Sequence, residues 1–167
     1  PLPWTPAMFG IPVESVEKTE RFLWDLRRTA RELVYENNVL RMKELGAARG
    51  LDFSTEAYDL NPAGDLYLFR AANVPMGEFW SRGYGFDADF SVFEAVSSGH
   101  TTGAQVVGAE SFTTGGDKWR QHPGAAKRQG DWAFCAGINR LVFHRMCAQP
   151  NSDAPGLSLG GHGMHWD

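Results

Sequence analysis

The ten residues AQVVGAESFT (104–113) are small or β-branched almost throughout, the composition of a strand buried on both faces. Strands of that kind belong to parallel sheets covered by helices. One residue does not fit. Glu110 puts a carboxylate at the end of the apolar run, where a charge weakens a strand. Two other segments repeat the arrangement: LDFSTEAY (51–58) alternates like a strand and carries Glu56, and NVPMGEFW (73–80) carries Glu78.

Outward from these segments the period lengthens. Phe22, Leu26, Ala30, Leu33, Asn37 and Leu40 recur at steps of three and four, predicting a helix from about Ser15 to Arg49. Gly50 closes it, as glycine does just past a helix end. Trp24, inside this helix, is expected to pack. SVFEAVSSGHTTG (91–103) predicts a second helix ending near Gly99 or Gly103. AAKRQGDWAFCAGIN (125–139) predicts a third, and RLVFHRM (140–146) a fourth strand. Residues 1–12 hold four prolines and read as a loop. Pro75 argues against a central place for its strand. The order helix, strand, strand, helix, strand, helix, strand predicts an α/β fold with a parallel sheet. No Gly-x-Gly-x-x-Gly turn follows a strand, which removes the commonest reason to prefer an open sheet. The expectation is therefore a partial (β/α)8 TIM-type barrel, its C-terminal half, with residues 1–167 a single fragment whose flanking parts are missing at both ends.

Composition narrows the function. The net charge is −4 with no basic run, which argues against a nucleic-acid partner. No apolar run approaches the roughly 20 residues of a membrane span. Cys135 and Cys147, twelve apart, match no zinc spacing and are expected as buried thiols.

In a barrel the active site forms where the strands end. Glu56, Glu78 and Glu110 fall there, and so does His144. Carboxylates ringed by Trp80, Phe112, Trp119 and Trp132 suit a sugar. Aromatic faces stack on its C–H surfaces, while carboxylates move protons at the glycosidic oxygen and the attacking water. A lone strand-end glutamate is commonly a solvated surface group, but the apolar approach to Glu110 favours a buried, perturbed carboxylate. His162 and His165 have no third ligand nearby, so substrate contact suits them better than zinc. A Schiff-base enzyme would want a strand-end lysine, and Lys118 and Lys127 sit in a loop and a helix instead.

The segments TERFLWDLRRTARELVYENN (19–38), NVPMGEFW, GAESFTT (108–114), WRQHPGAAKRQGDWAFCAGINRLVFHRMCAQP (119–150) and PGLSLGGHGMHWD (155–167) together resemble the bacterial α-L-rhamnosidases of glycoside hydrolase family 106. The likeness runs from about residue 10 to the end and is most specific over 106–149. It implies a catalytic barrel inside a larger, exported enzyme, periplasmic or extracellular. Such an enzyme removes terminal α-linked L-rhamnose from glycosides with inversion, assisted by calcium. It implies Glu110 as the catalytic base and Glu78 as a calcium ligand or second carboxylate. Glu56, Trp80, His144, His165 and Asp167 would be substrate-binding positions at the rim. The general acid would be Glu78 or a residue upstream of Pro1, and the fragment alone would be inactive. The alternatives are a non-catalytic carbohydrate-binding barrel, or another glycosidase specificity on the same barrel.

Overall fold

A computed structural model gives the fold and describes residues 2–59, 63–81, 87–115 and 120–145. Four strands form one parallel sheet: β1 Ser54–Glu56, β2 Val74–Trp80, β3 Gly108–Thr113 and β4 Arg140–Phe143, side by side in chain order. The helices are α1 Val16–Val34, continued through a π-helical turn Tyr35–Leu40 into α2 Arg41–Ala47, then α3 Asp65–Phe69, α4 Asp89–Thr102 and α5 Pro123–Ala136. The predicted α/β class and parallel sheet are what the structure has.

The helix boundaries follow from local chemistry. Ser15 caps α1 through its hydroxyl, which accepts from the Lys18 N–H. Gly50 and Gly103 have φ of 70° and 76°, the left-handed conformation that ends a helix. Two local expectations need correction. Residues 2–9 form a 3-10 helix where the prolines predicted a loop. Between β1 and β2 lies α3, which at five residues is too short to show a helical period in sequence.

Pro75 does sit in an interior strand. The β3 ladder begins only at Met76↔Gly108, so at Pro75 the strand has β1 alone beside it and behaves as an edge. Two asparagines tie the strand entries together. The Asn73 side-chain carbonyl accepts from the Phe53 N–H at 3.1 Å, and that of Asn139 accepts from the Val107 N–H at 2.8 Å.

The core lies between one sheet face and the helices. Phe79, Ala109, Val92, Ala95 and Ala133 are fully buried there. A Cβ on Gly77 would stand 2.7 Å from the Ser91 and Val92 backbone, so only glycine lets α4 lie this close to β2. Two further residues differ from expectation. Within this chain Trp24 is 58% exposed, with Arg28 lying over its ring. Cys135 is exposed, on the outer side of α5; Cys147 lies outside the described residues.

Candidate active site

Register brings the glutamates together. Glu78 and Glu110 are direct partners on adjacent parallel strands, so their side chains leave the same face. Glu56 pairs with Met76, two residues before Glu78, and joins that face. It is the face opposite the helix-covered core.

Glu78 is held most firmly. It is 8% exposed, and both its oxygens accept hydrogen bonds: Oε2 from the Tyr58 hydroxyl at 2.5 Å, Oε1 from Trp80 Nε1 at 2.5 Å. Its backbone is secured from the other direction. β1 stops at the level of Met76, leaving the Glu78 N–H without a strand partner, and the Ser91 hydroxyl of α4 accepts from it at 2.8 Å. Replacing Ser91 by alanine is expected to cost about 1–3 kcal/mol, the penalty of an orphaned buried N–H. Thermal unfolding of Ser91→Ala against Ser91→Thr checks this, since threonine keeps the oxygen.

A backbone irregularity shapes the end of β3. Phe79 pairs with Ser111 but Trp80 pairs with Thr113, so Phe112 is an extra residue, with φ of 62°. The bulge turns Phe112 into the core, edge-on to Phe79 at 4.9 Å and stacked on Phe143 at 5.5 Å. It also brings Thr113, which strict alternation would place on the opposite face, over to Glu110, where its hydroxyl donates to Oε1 at 3.3 Å. A left-handed aromatic residue costs on the order of 1–3 kcal/mol and persists where the surroundings enforce it.

His144 follows β4. Its N–H donates to the Ser111 carbonyl at 3.0 Å and so extends the ladder. Nδ1 stands 3.4 Å from Glu110 Oε1, an ion-pair distance without an aligned hydrogen bond. Trp80 is placed by Gln129 of α5, whose side-chain amide donates to its carbonyl at 2.6 Å.

The charges act on one another. Burial pushes the Glu56 carboxyl up to about 7, helped by Glu110 and Glu78 and opposed by the hydrogen bond from Tyr58. Burial also raises Glu110; His144 pulls it back, Glu78 pushes it up, and the Thr113 hydroxyl lowers it again. Tyr58 is raised by burial and by its bond to Glu78, so it stays a donor. The linkage for Glu56 has a definite sign. A carboxyl raised in the folded state binds its proton more tightly there, so its contribution is full below about 4.5 and is lost as pH rises through about 7. Glu56→Gln is therefore expected to be neutral near pH 4 and stabilising at pH 8, read from unfolding midpoints at the two values.

Glu56, Glu78, Trp80, Glu110 and His144 lie at the strand ends, and the Glu78 charge raises both Glu56 and Glu110. Phe112 and Trp132 do not ring the site. Phe112 is turned inward by the bulge, and Trp132 packs edge-on against Phe79 at 5.8 Å and Phe93 at 6.1 Å. Trp119, His162, His165 and Asp167 lie outside the described residues. Tyr58, Thr113 and Ser91 were not anticipated. Of these, only Tyr58, two residues past a strand-end glutamate, carried any cue in the sequence.

A parallel α/β sheet thus brings three carboxylates together at its strand ends, with the Trp80 indole beside them. The chain belongs to the α-L-rhamnosidase family Glyco_hydro_106, whose profile matches residues 1–167. It is 43% identical over 165 residues to a Formosa agariphila protein provisionally named beta-glucuronidase, covering 98% of this chain and 14% of that protein. It is also similar to the solved structure of a rhamnosidase from Novosphingobium sp. PP1Y, at 32% identity and a TM-score of 0.81, over 97% of this chain and 16% of that one. The chain thus spans about a seventh of the length of the relatives it matches.

Proposed function

We propose that the complete protein hydrolyses terminal α-L-rhamnosyl linkages with inversion, Glu110 acting as general base. The observation that carries this reading is the pairing of Glu78 and Glu110 in register at the strand ends. The sheet would be an arc of a (β/α)8 barrel, a reading supported by four parallel strands in unbroken chain order.

Glu110 suits the base role. Its carboxyl is raised, which strengthens it as a proton acceptor, and Thr113 and His144 fix one of its oxygens. Ionised, it would take a proton from water on one face of the sugar. The acid must stand across the glycosidic bond. Inverting pairs are separated by about 6.5–9.5 Å, whereas neighbouring strands lie only about 4.8 Å apart. Glu78, beside Glu110 and engaged at both oxygens, is therefore better suited to positioning than to protonating the leaving group. The acid is assigned to the rest of the polypeptide. Since Glu110 must be ionised, kcat/KM is expected to rise with pH on its acid limb through a value above the ordinary carboxylate range.

Calcium is part of the proposal. The donor set at the rim is hard oxygen, the kind calcium prefers. Among the described residues no three side chains form a metal cage by themselves. Glu78 would supply a carboxylate oxygen, and sugar hydroxyls with other parts of the polypeptide the remainder. When bound, the ion would orient those hydroxyls. Chelation is expected to lower activity, and added calcium to restore it.

The name of the Formosa agariphila relative suggests a uronic acid in the cleaved position. That sugar would add a fourth carboxylate beside three glutamates. A neutral deoxy-sugar suits this rim better. The substrate would be a rhamnose-containing glycoside, oligosaccharide or polysaccharide, met in the periplasm or outside the cell. Among the described residues no helix is long and apolar enough to cross a membrane. The test is hydrolysis of an aryl α-L-rhamnoside by the full-length protein, with an aryl β-glucuronide as control. Binding of the rhamnoside without turnover would instead favour a non-catalytic sugar-binding barrel.

A further inference from the structure

The continuous helix from Val16 to Ala47 is about 48 Å long at 1.5 Å per residue, while the longest strand, β2, spans about 23 Å. The excess lies on the side where the strands end. Gly64 follows β1 on that side, and α3 descends from it toward the start of β2. Down α3 the contacts move along the long helix in the same direction. Gly64 lies beside Trp24 to Arg31, Tyr67 under Arg31, and Arg70 near Tyr35. The first half of α1 therefore extends past the strand ends, at the end of the sheet where Glu56, Glu78 and Glu110 lie.

On this overhang a cleft of about 220 Å³ is lined by Trp24, Arg27, Arg28, Arg31 and Gly64. Its chemistry is the reverse of the rim. Arg28 is bonded to Glu32 at 2.7 Å. No acidic side chain among the described residues pairs with Arg27 or Arg31. Arg31 is fixed by stacking over Tyr67 at 4.4 Å, and its Nε is buried without an acceptor. Trp24 is half-exposed beside these guanidiniums, with Arg28 over one side of its ring at 5.5 Å. An aromatic face with unpaired guanidiniums is what a sugar bearing an anionic group requires: stacking for the ring, forked donors for the carboxylate or sulfate.

We propose that this cleft is an accessory subsite for an anionic sugar, carboxylated or sulfated, in the part of the glycan beyond the cleaved rhamnose. The identity of the cleaved residue rests on the function proposed above; the subsite itself does not. A rim of glutamates takes the neutral deoxy-sugar, and an arginine shelf outside it takes its charged neighbour.

The test uses full-length protein carrying Glu110→Gln, so that ligands are bound and not consumed. Calorimetry compares three α-L-rhamnosyl disaccharides: one with a uronic acid as second sugar, its carboxyl-reduced form, and a sulfated counterpart of that reduced form. At least one anionic disaccharide is expected to bind about tenfold more tightly than the reduced one, and the two anionic arms tell carboxylate from sulfate. Arg27→Glu, at a side chain with no ion-pair partner among the described residues, should abolish that preference and leave binding of the reduced disaccharide within about twofold. Equal binding of all three, or a preference that survives Arg27→Glu combined with Arg31→Gln, overturns the subsite. So does a cleft covered by an acidic segment of the same polypeptide, which would show as equal binding. If the anionic disaccharide binds as expected but unmutated protein cleaves neither disaccharide nor an aryl rhamnoside, the rhamnosidase reading fails and the subsite stands.

Discussion

Replacing Glu110 by glutamine in the full-length protein is expected to lower kcat on an aryl α-L-rhamnoside by about 100- to 10,000-fold, with KM little changed. Glutamine keeps the size and the hydrogen bond from Thr113 but cannot accept a proton from water. The range is what general-base catalysis typically contributes. Glu110 sits where such a loss should be visible, because burial has raised its proton affinity and its oxygen is already oriented by Thr113 and His144. Steady-state kinetics at the pH optimum checks it, and activity within about tenfold of the unmutated protein would contradict the role.

The second large effect is on the fold. Phe79 is fully buried beneath β2, edge-on to Phe112 and Trp132 and pressed between the sheet and the helices. Phe79→Ala removes the ring that holds Phe112 in its bulged conformation, so the cavity and the released strain fall in one place. A phenylalanine-to-alanine change in a packed core costs about 3–5 kcal/mol. In amide hydrogen exchange of the full-length protein, β2 and β3 amides that open locally should exchange more than about 100-fold faster. Exchange faster by less than about tenfold would mean the bulge is held by something other than this ring. Because the bulge places Thr113 on Glu110, activity should fall with the fold.

Much of this architecture was legible in the sequence, for physical reasons. Apolar strand periods give a parallel sheet, and a parallel sheet aligns its strand ends. Glutamates near the ends of 51–58, 73–80 and 104–113 had to meet once the strands paired in order. The legibility stopped where one residue departs from its element's period. Nothing in SFT announces that Phe112 adopts a left-handed conformation, so its ring and that of Trp132 were placed at the sugar site when both lie behind the sheet. Tyr58 and Ser91 reach Glu78 across 20 and 13 residues, distances at which pairing depends on register and not on local pattern. Trp24 looked like core because aromatic residues in helices usually are. Within this chain it is 58% exposed, with Arg28 over its ring.

The account rests on Glu78 and Glu110 working as one unit at the strand ends. Its most direct test is a double-mutant cycle on kcat for aryl α-L-rhamnoside hydrolysis by full-length protein, using Glu78→Gln, Glu110→Gln and the two combined. Residues that act as a unit are strongly non-additive, so the double variant should fall within about threefold of Glu110→Gln alone. Losses that multiply, leaving the double variant slower by the product of the two single effects, would show that the carboxylates act independently and would contradict the site described.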